Sequence, residues 1–166
     1  MTLCVGNSFL RRAQLKLKLN SKFETTLIRE DVDLVYFVSP GRRCLLLQKL
    51  NYIITVWDLG HREFPEFPEV REYNIFLERE WIYKNTLAQA FLVITDSAAL
   101  SDRVSKWFNI SKDRLLDMPF SPSPFIQERH SSNKAEVLKK YNLDEGYFFY
   151  PAQFWAHKNH VRILQA

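Results

Sequence analysis

The stretch YIITVWDLGHREFPEFPEV, from Tyr52 to Val70, decides how the chain reads. Tyr52 to Asp58 is a short apolar run rich in β-branched residues, the pattern of a strand buried on both faces. It gives way at once to Asp58, His61, Arg62 and Glu63, clustered within six positions, and then to a repeated Phe-Pro-Glu. In a parallel α/β sheet, ligands bind beyond the carboxyl ends of the strands, so a charged cluster at that place is a candidate site.

Working outward, three more apolar runs share the strand signature. DLVYFVSP (Asp33–Pro40) closes on Pro-Gly, FLVITD (Phe91–Asp96) resembles the central run, and RLLDMP (Arg114–Pro119) is a weaker fourth. Helical patterns separate the last three. In REYNIFLEREWIYKNTLAQA the spacing gathers Tyr73, Phe76, Leu77, Trp81 and Leu87 on one side and sets Glu80 to pair with Lys84. In SAALSDRVSKWFN, Ser97 is placed to cap a helix whose buried face is Leu100, Val104, Trp107 and Phe108. Strands alternating with amphipathic helices predict βαβ units and a parallel sheet. The opening stretch SFLRRAQLKLKLNSKFETTLIRED is read as helix, although Leu15, Leu17 and Leu19 alternate with lysines as in an edge strand.

After Pro119 the texture changes. FSPSPFIQERHSSN has no periodicity and reads as a linker. NKAEVLKKYN follows as a short helix with Asn133 as cap, GYFFYPA as a strand, and KNHVRILQA as a helix. The expected division is a Rossmann-like domain over 1–120, a linker over 121–132, and the first βα unit of a second α/β domain over 133–166.

Composition narrows the function. A hydrophobic fraction of 46% supports a sizeable core and argues against disorder. A net charge of +4, spread along the chain, suits an anionic ligand such as a phosphate but does not call for nucleic acid. Cys4 and Cys44 form no metal spacing and no disulfide framework. No stretch has the apolar length of a membrane span or a signal core, so a cytoplasmic chain is expected, with contact at the inner membrane face left open.

Two places carry candidate chemistry. At the first, Asp58 or His61 could hold or deprotonate a hydroxyl, with Arg62 and Glu63 beside them. A charged connecting loop whose side chains only satisfy backbone groups would look the same. At the second, FFYPAQFWAHKNH (Phe148–His160), a strand is expected to end near Ala152 and Lys158 to arrive at the start of a helix. There its ammonium would add to the helix dipole in neutralising an anion, while Asn159 caps or donates. His157, His160 and His61 lack the Glu of a metallohydrolase motif, so no metal is expected. Ser97 has no G-x-S-x-G around it and reads as a cap.

The collinear series T-V-W-D-L-G-H-R-E-F-P-E-F-P-E-V, V-I-T-D-S-A-A-L-S-D-R-V, M-P-F-S-P-S-P-F, K-K-Y-N-L and Y-F-F-Y-P-A-Q-F-W-A-H-K-N-H-V-R-I-L-Q-A resembles retaining glycosyltransferases of family 4, the "group 1" enzymes of GT-B fold. The resemblance runs from about Asp33 to the end of the sequence. It implies two Rossmann-like domains facing across a cleft, the first holding the acceptor and the second a nucleotide-activated sugar. It implies transfer with retention, no metal or other cofactor, and a role in cell-surface polysaccharide synthesis with a saccharide or lipid-linked acceptor. The family's G-[RQ]-x-x-x-x-K-[GN] loop meets the donor diphosphate; here it reads Ala152, Gln153, Lys158, Asn159, with Gln153 where many relatives carry Arg. Many relatives have His-Asp where this chain has Trp57-Asp58, which leaves Asp58 and His61 as alternatives for the polar role on the acceptor side. The family's E-x7-E segment would lie beyond Ala166, so the expectation is an incomplete transferase without turnover of its own. Two other readings stand beside it: a non-catalytic α/β module that binds phosphate or a partner, and a GT-B-like enzyme of sugar phosphates such as an epimerase.

Overall fold

A computed structural model describes residues 21–124 and 134–166. The predicted cap Asn133, most of the expected linker, and most of the opening stretch lie outside the described residues. Those described fall into two compact units, one from 21–66 and 70–119, the other from 67–69, 120–124 and 134–166.

The first described element of this unit is α1 (Lys22–Arg29), where Ser21 Oγ accepts from the Glu24 amide at 3.0 Å and donates to Leu46 O at 2.9 Å. Glu24 points away from its own helix. Its Oε1 accepts from three successive backbone amides, those of Gln48 and Lys49 at 2.6 Å and Leu50 at 3.1 Å. These bonds fasten α1 to the segment that enters the sheet.

The sheet follows as β1 (Leu34–Phe37), β2 (Asn51–Val56), β3 (Leu92–Thr95) and β4 (Leu115–Asp117), all parallel and ordered β1-β2-β3-β4. Between β2 and β3 lie the short α2 (Gly60–Glu63) and α3 (Pro68–Arg71) and the longer α4 (Ile75–Leu87); α5 (Ala98–Phe108) joins β3 to β4. All four apolar runs of the sequence are thus strands of one α/β layer structure, compatible with a Rossmann-like fold. The register aligns Phe37, Ile54, Val93 and Leu115 in one row. Tyr52, Ile54, Val56 and Val93 pack with Tyr83 and Leu87 of α4 and Leu100 and Val104 of α5 into the core. Ser97 caps α5 as its position predicts, accepting from the Leu100 amide at 3.4 Å. At the other end of α4, the Arg114 guanidinium donates to the carbonyls of Leu87, Ala88 and Ala90, groups the helix cannot satisfy itself.

Two expectations fail here. The predicted apolar face of α4 is rotated away from the core: Tyr73, at φ 54°, sits before the helix, and Leu77 and Trp81 face outward. Phe76 and Leu87 of the predicted face do turn inward, but the rest of the inward stripe is Arg79, Glu80, Tyr83 and Thr86. Glu80 pairs with Arg62 and His61 rather than with Lys84.

The second unit contains α6 (Lys134–Tyr141), a 3-10 turn at Ala156–Lys158, and α7 (His160–Gln165). The strand expected from Tyr147 is absent among the described residues. A strand exists through hydrogen bonds to a neighbour, and no described segment pairs with this one. Phe148 and Phe149 are 98% and 77% exposed, the apolar surface expected of an unpaired run. Among the described residues, no helix is long and apolar enough to cross a membrane.

Candidate functional site

The carboxyl edge of the sheet places Asp58 two residues past the end of β2. Its Oδ1 accepts from the Gly60 amide and from Arg79 Nη2, both at 2.8 Å. Gly60 makes room for this: a Cβ there would stand 3.1 Å from Asp58 Oδ1. Arg79 reaches up from α4 and also donates to Tyr83 Oη at 2.9 Å, which fixes the guanidinium over the Tyr83 ring. Burial alone would raise the pKa of Asp58. The hydrogen bond and charge of Arg79, with the Gly60 amide, outweigh it and hold the carboxyl below its usual value. Asp58 is therefore an anion at neutral pH, its side chain 56% exposed, and its Oδ2 has no hydrogen-bond partner among the described residues.

The neighbours of Asp58 turn inward. His61 is fully buried, edge-on to Tyr83 with ring centroids 5.0 Å apart, and its Nε2 lies 2.9 Å from Glu80 Oε1. Arg62 holds Glu80 below the usual carboxyl range, chiefly by its hydrogen bond, so Glu80 is an acceptor and Nε2 carries the proton. Burial and then the Arg79 charge lower the pKa of His61 against the pull of Glu80 and Asp58, leaving a neutral imidazole. The ring cannot reach a solvent-borne hydroxyl. Its remaining nitrogen, Nδ1, is buried without a partner among the described residues.

Arg62 grips Glu80 with two nitrogens and lies over the Phe108 ring at 4.5 Å. Glu63 Oε1 sits 2.7 Å from Arg103 Nε on α5. His61, Arg62 and Glu63 thus bind the loop after β2 to the two helices beneath it, and Asp58 is the member of the cluster that faces out. Along the same edge, Thr95 and Ser101 hydroxyls lie 2.8 Å apart and both meet Asp117 Oδ1, stitching β3, β4 and α5 together.

In the second unit, Lys158 lies in the 3-10 turn, not in a helical first turn, and its side chain is exposed. Its carbonyl accepts from Tyr150 Oη at 3.1 Å. Asn159 adopts φ 52° and caps α7, accepting from the Arg162 amide at 3.3 Å. Gln153 Oε1 accepts from the Trp155 indole, which leaves the Gln153 amide nitrogen as the donor for any ligand. His157 bonds Glu69 through its ring and its backbone amide, and His160 packs between Tyr150 and Phe154 with centroids at 5.1 and 4.6 Å. No group of three or more His, Cys, Asp or Glu among the described residues could hold a metal ion.

Sequence reading singled out neither Arg79 nor Glu80 as a site residue. Their signal was their place on the stripe through Phe76, Tyr83 and Leu87, where a charged side chain needs a buried partner. No family model matches the chain, and no curated protein matches it.

Proposed function

We propose that the chain carries the acceptor-side and donor-phosphate elements of a retaining glycosyltransferase of GT-B type. Its substrates in this reading are a nucleotide-diphosphate sugar and a saccharide or lipid-linked acceptor, in cell-surface polysaccharide synthesis at or near the inner membrane face. No metal and no nucleic acid take part. The observation that carries the reading is Asp58, an ionised carboxylate at the carboxyl edge of a parallel sheet with one oxygen open to a ligand hydroxyl. The exposed ammonium of Lys158 supports the donor half, where it would meet the diphosphate and offset charge on the departing nucleotide. Asn159 and the Gln153 amide nitrogen supply neutral hydrogen bonds beside it, and Arg62 and Glu63 hold the acceptor loop in place.

Melting temperature tests this directly. UDP-glucose or GDP-mannose raises it, and Lys158→Ala removes the rise. If no nucleotide sugar moves the transition, the donor reading fails. A non-catalytic module is the second reading, favoured by the burial of His61, which leaves no imidazole among the described residues at the edge to take a proton. Under that reading simple phosphates raise the melting temperature as much as nucleotide sugars do.

A further inference from the structure

We infer that Asp58 anchors an acceptor hydroxyl without taking its proton, and that Arg79 is the positioning residue that aims it. The inference rests on the acceptor-side reading above and assigns the ligand class: a pyranoside donating one O–H to Asp58 Oδ2.

The geometry separates the two oxygens of this carboxylate. Oδ1 is held by Gly60 N–H and Arg79 Nη2 at 2.8 Å each, while Oδ2 has no hydrogen-bond partner among the described residues and the side chain is 56% exposed. Arg79 is itself fixed by the Tyr83 hydroxyl at 2.9 Å and by the ring beneath it, and a second contact to Asp58 O at 3.5 Å aligns it with the strand end. Both donors thus hold the same oxygen of the carboxylate and leave the other for a ligand. Two donors on one oxygen, one of them a guanidinium, suit an acceptor that stays charged; a base must instead accept and release a proton at the working pH. Of the other titratable groups beside Asp58, His61 is buried and donates to Glu80, and the Tyr83 hydroxyl, its pKa pushed up by burial, donates to Asp58 O, so neither substitutes as the base. The ordinary alternative is that Arg79 merely secures the loop after β2. That role is already filled by Arg62 and His61 on Glu80 and by Glu63 with Arg103.

Saturation-transfer NMR on the full chain, with methyl α-D-mannopyranoside, methyl α-D-glucopyranoside and methyl α-D-galactopyranoside as probes, tests the inference. The wild type binds at least one of them. Asp58→Asn and Arg79→Ala each weaken that binding by about tenfold or more, the loss expected for one hydrogen bond to a charged group. Free guanidinium at millimolar concentration partly restores binding to Arg79→Ala, which a purely structural role would not allow. Arg79→Lys, which keeps the charge without the fork, checks that the loss is not misfolding: it melts near the wild type yet binds weakly. Unchanged binding by Arg79→Ala, or absence of guanidinium rescue, overturns the positioning role. Unchanged binding by Asp58→Asn overturns the anchor. If the wild type binds no glycoside while nucleotide sugars still raise its melting temperature, this inference falls and the donor reading stands; if neither ligand binds, both fall.

Discussion

Replacing Glu24 should cost more stability than any other single change outside the apolar core. Its side chain has no solvent exposure, and one oxygen receives three backbone N–H groups from Gln48, Lys49 and Leu50. A hydrogen bond to a charged group is worth about 1.5–3 kcal/mol net. One oxygen cannot serve three donors equally, so two full bonds are the fair count, and Glu24→Ala should lose about 3–6 kcal/mol, in the range of a broken buried network. Glu24→Gln keeps an acceptor and loses the charge, and should lose about half as much. Urea unfolding followed by tryptophan fluorescence measures both.

The pH dependence has a definite sign. Burial alone would raise the pKa of Glu24, but the amides of Lys49, Leu50 and Gln48 outweigh it and hold the carboxyl below the usual glutamate value. The contribution is therefore complete above about pH 4.3, where the unfolded side chain is ionised, and disappears as pH falls through the lower folded value. Glu24→Gln should lose this part of the acid sensitivity. A Glu24→Ala protein within about 0.5 kcal/mol of wild type would refute the reasoning, since that is the scatter of an ordinary surface substitution.

Three further predictions follow from the same structure. Because His61 is buried and neutral, the unfolded chain binds a proton there that the folded one does not; unfolding free energy should fall as pH drops below about 6.5, and His61→Gln should flatten that slope in a pH series of urea titrations. Ser97→Ala removes the α5 cap and should cost about 1 kcal/mol, while Ser97→Asp should retain most of it, read by the same titrations. Phe148→Ser and Phe149→Ser should leave stability within about 0.5 kcal/mol and reduce self-association in sedimentation velocity, because both rings are solvent-facing.

The strands were legible because buried parallel strands need continuous apolar runs, and Tyr52–Val56 and Phe91–Thr95 supply them between clear punctuation. Ser97 was legible because a cap is a local arrangement, complete within four residues. Local pattern failed on α4, whose inward stripe includes Arg79 and Glu80, kept there by partners on the loop after β2, and Thr86, whose hydroxyl donates to Ile82 O in its own helix. It failed again at Tyr147–Pro151, where composition favours a strand but pairing requires a second segment. The Glu24 clasp left no trace in the sequence, since its partners are backbone amides 24 to 26 residues away and any side chains could stand there. Of the predicted site, position at a strand end placed Asp58 and His61 together as candidates. The spacing that grouped them with Arg62 and Glu63 could not tell which of the four would turn inward to hold the loop.

The most direct measurement of the central claim is isothermal titration of the chain with UDP and GDP, set against UMP and GMP. Binding should be saturable, require the second phosphate, and weaken about tenfold or more in Lys158→Ala, as removal of a charge-assisted contact should. Absence of binding, or binding indifferent to the second phosphate and to Lys158, would contradict it.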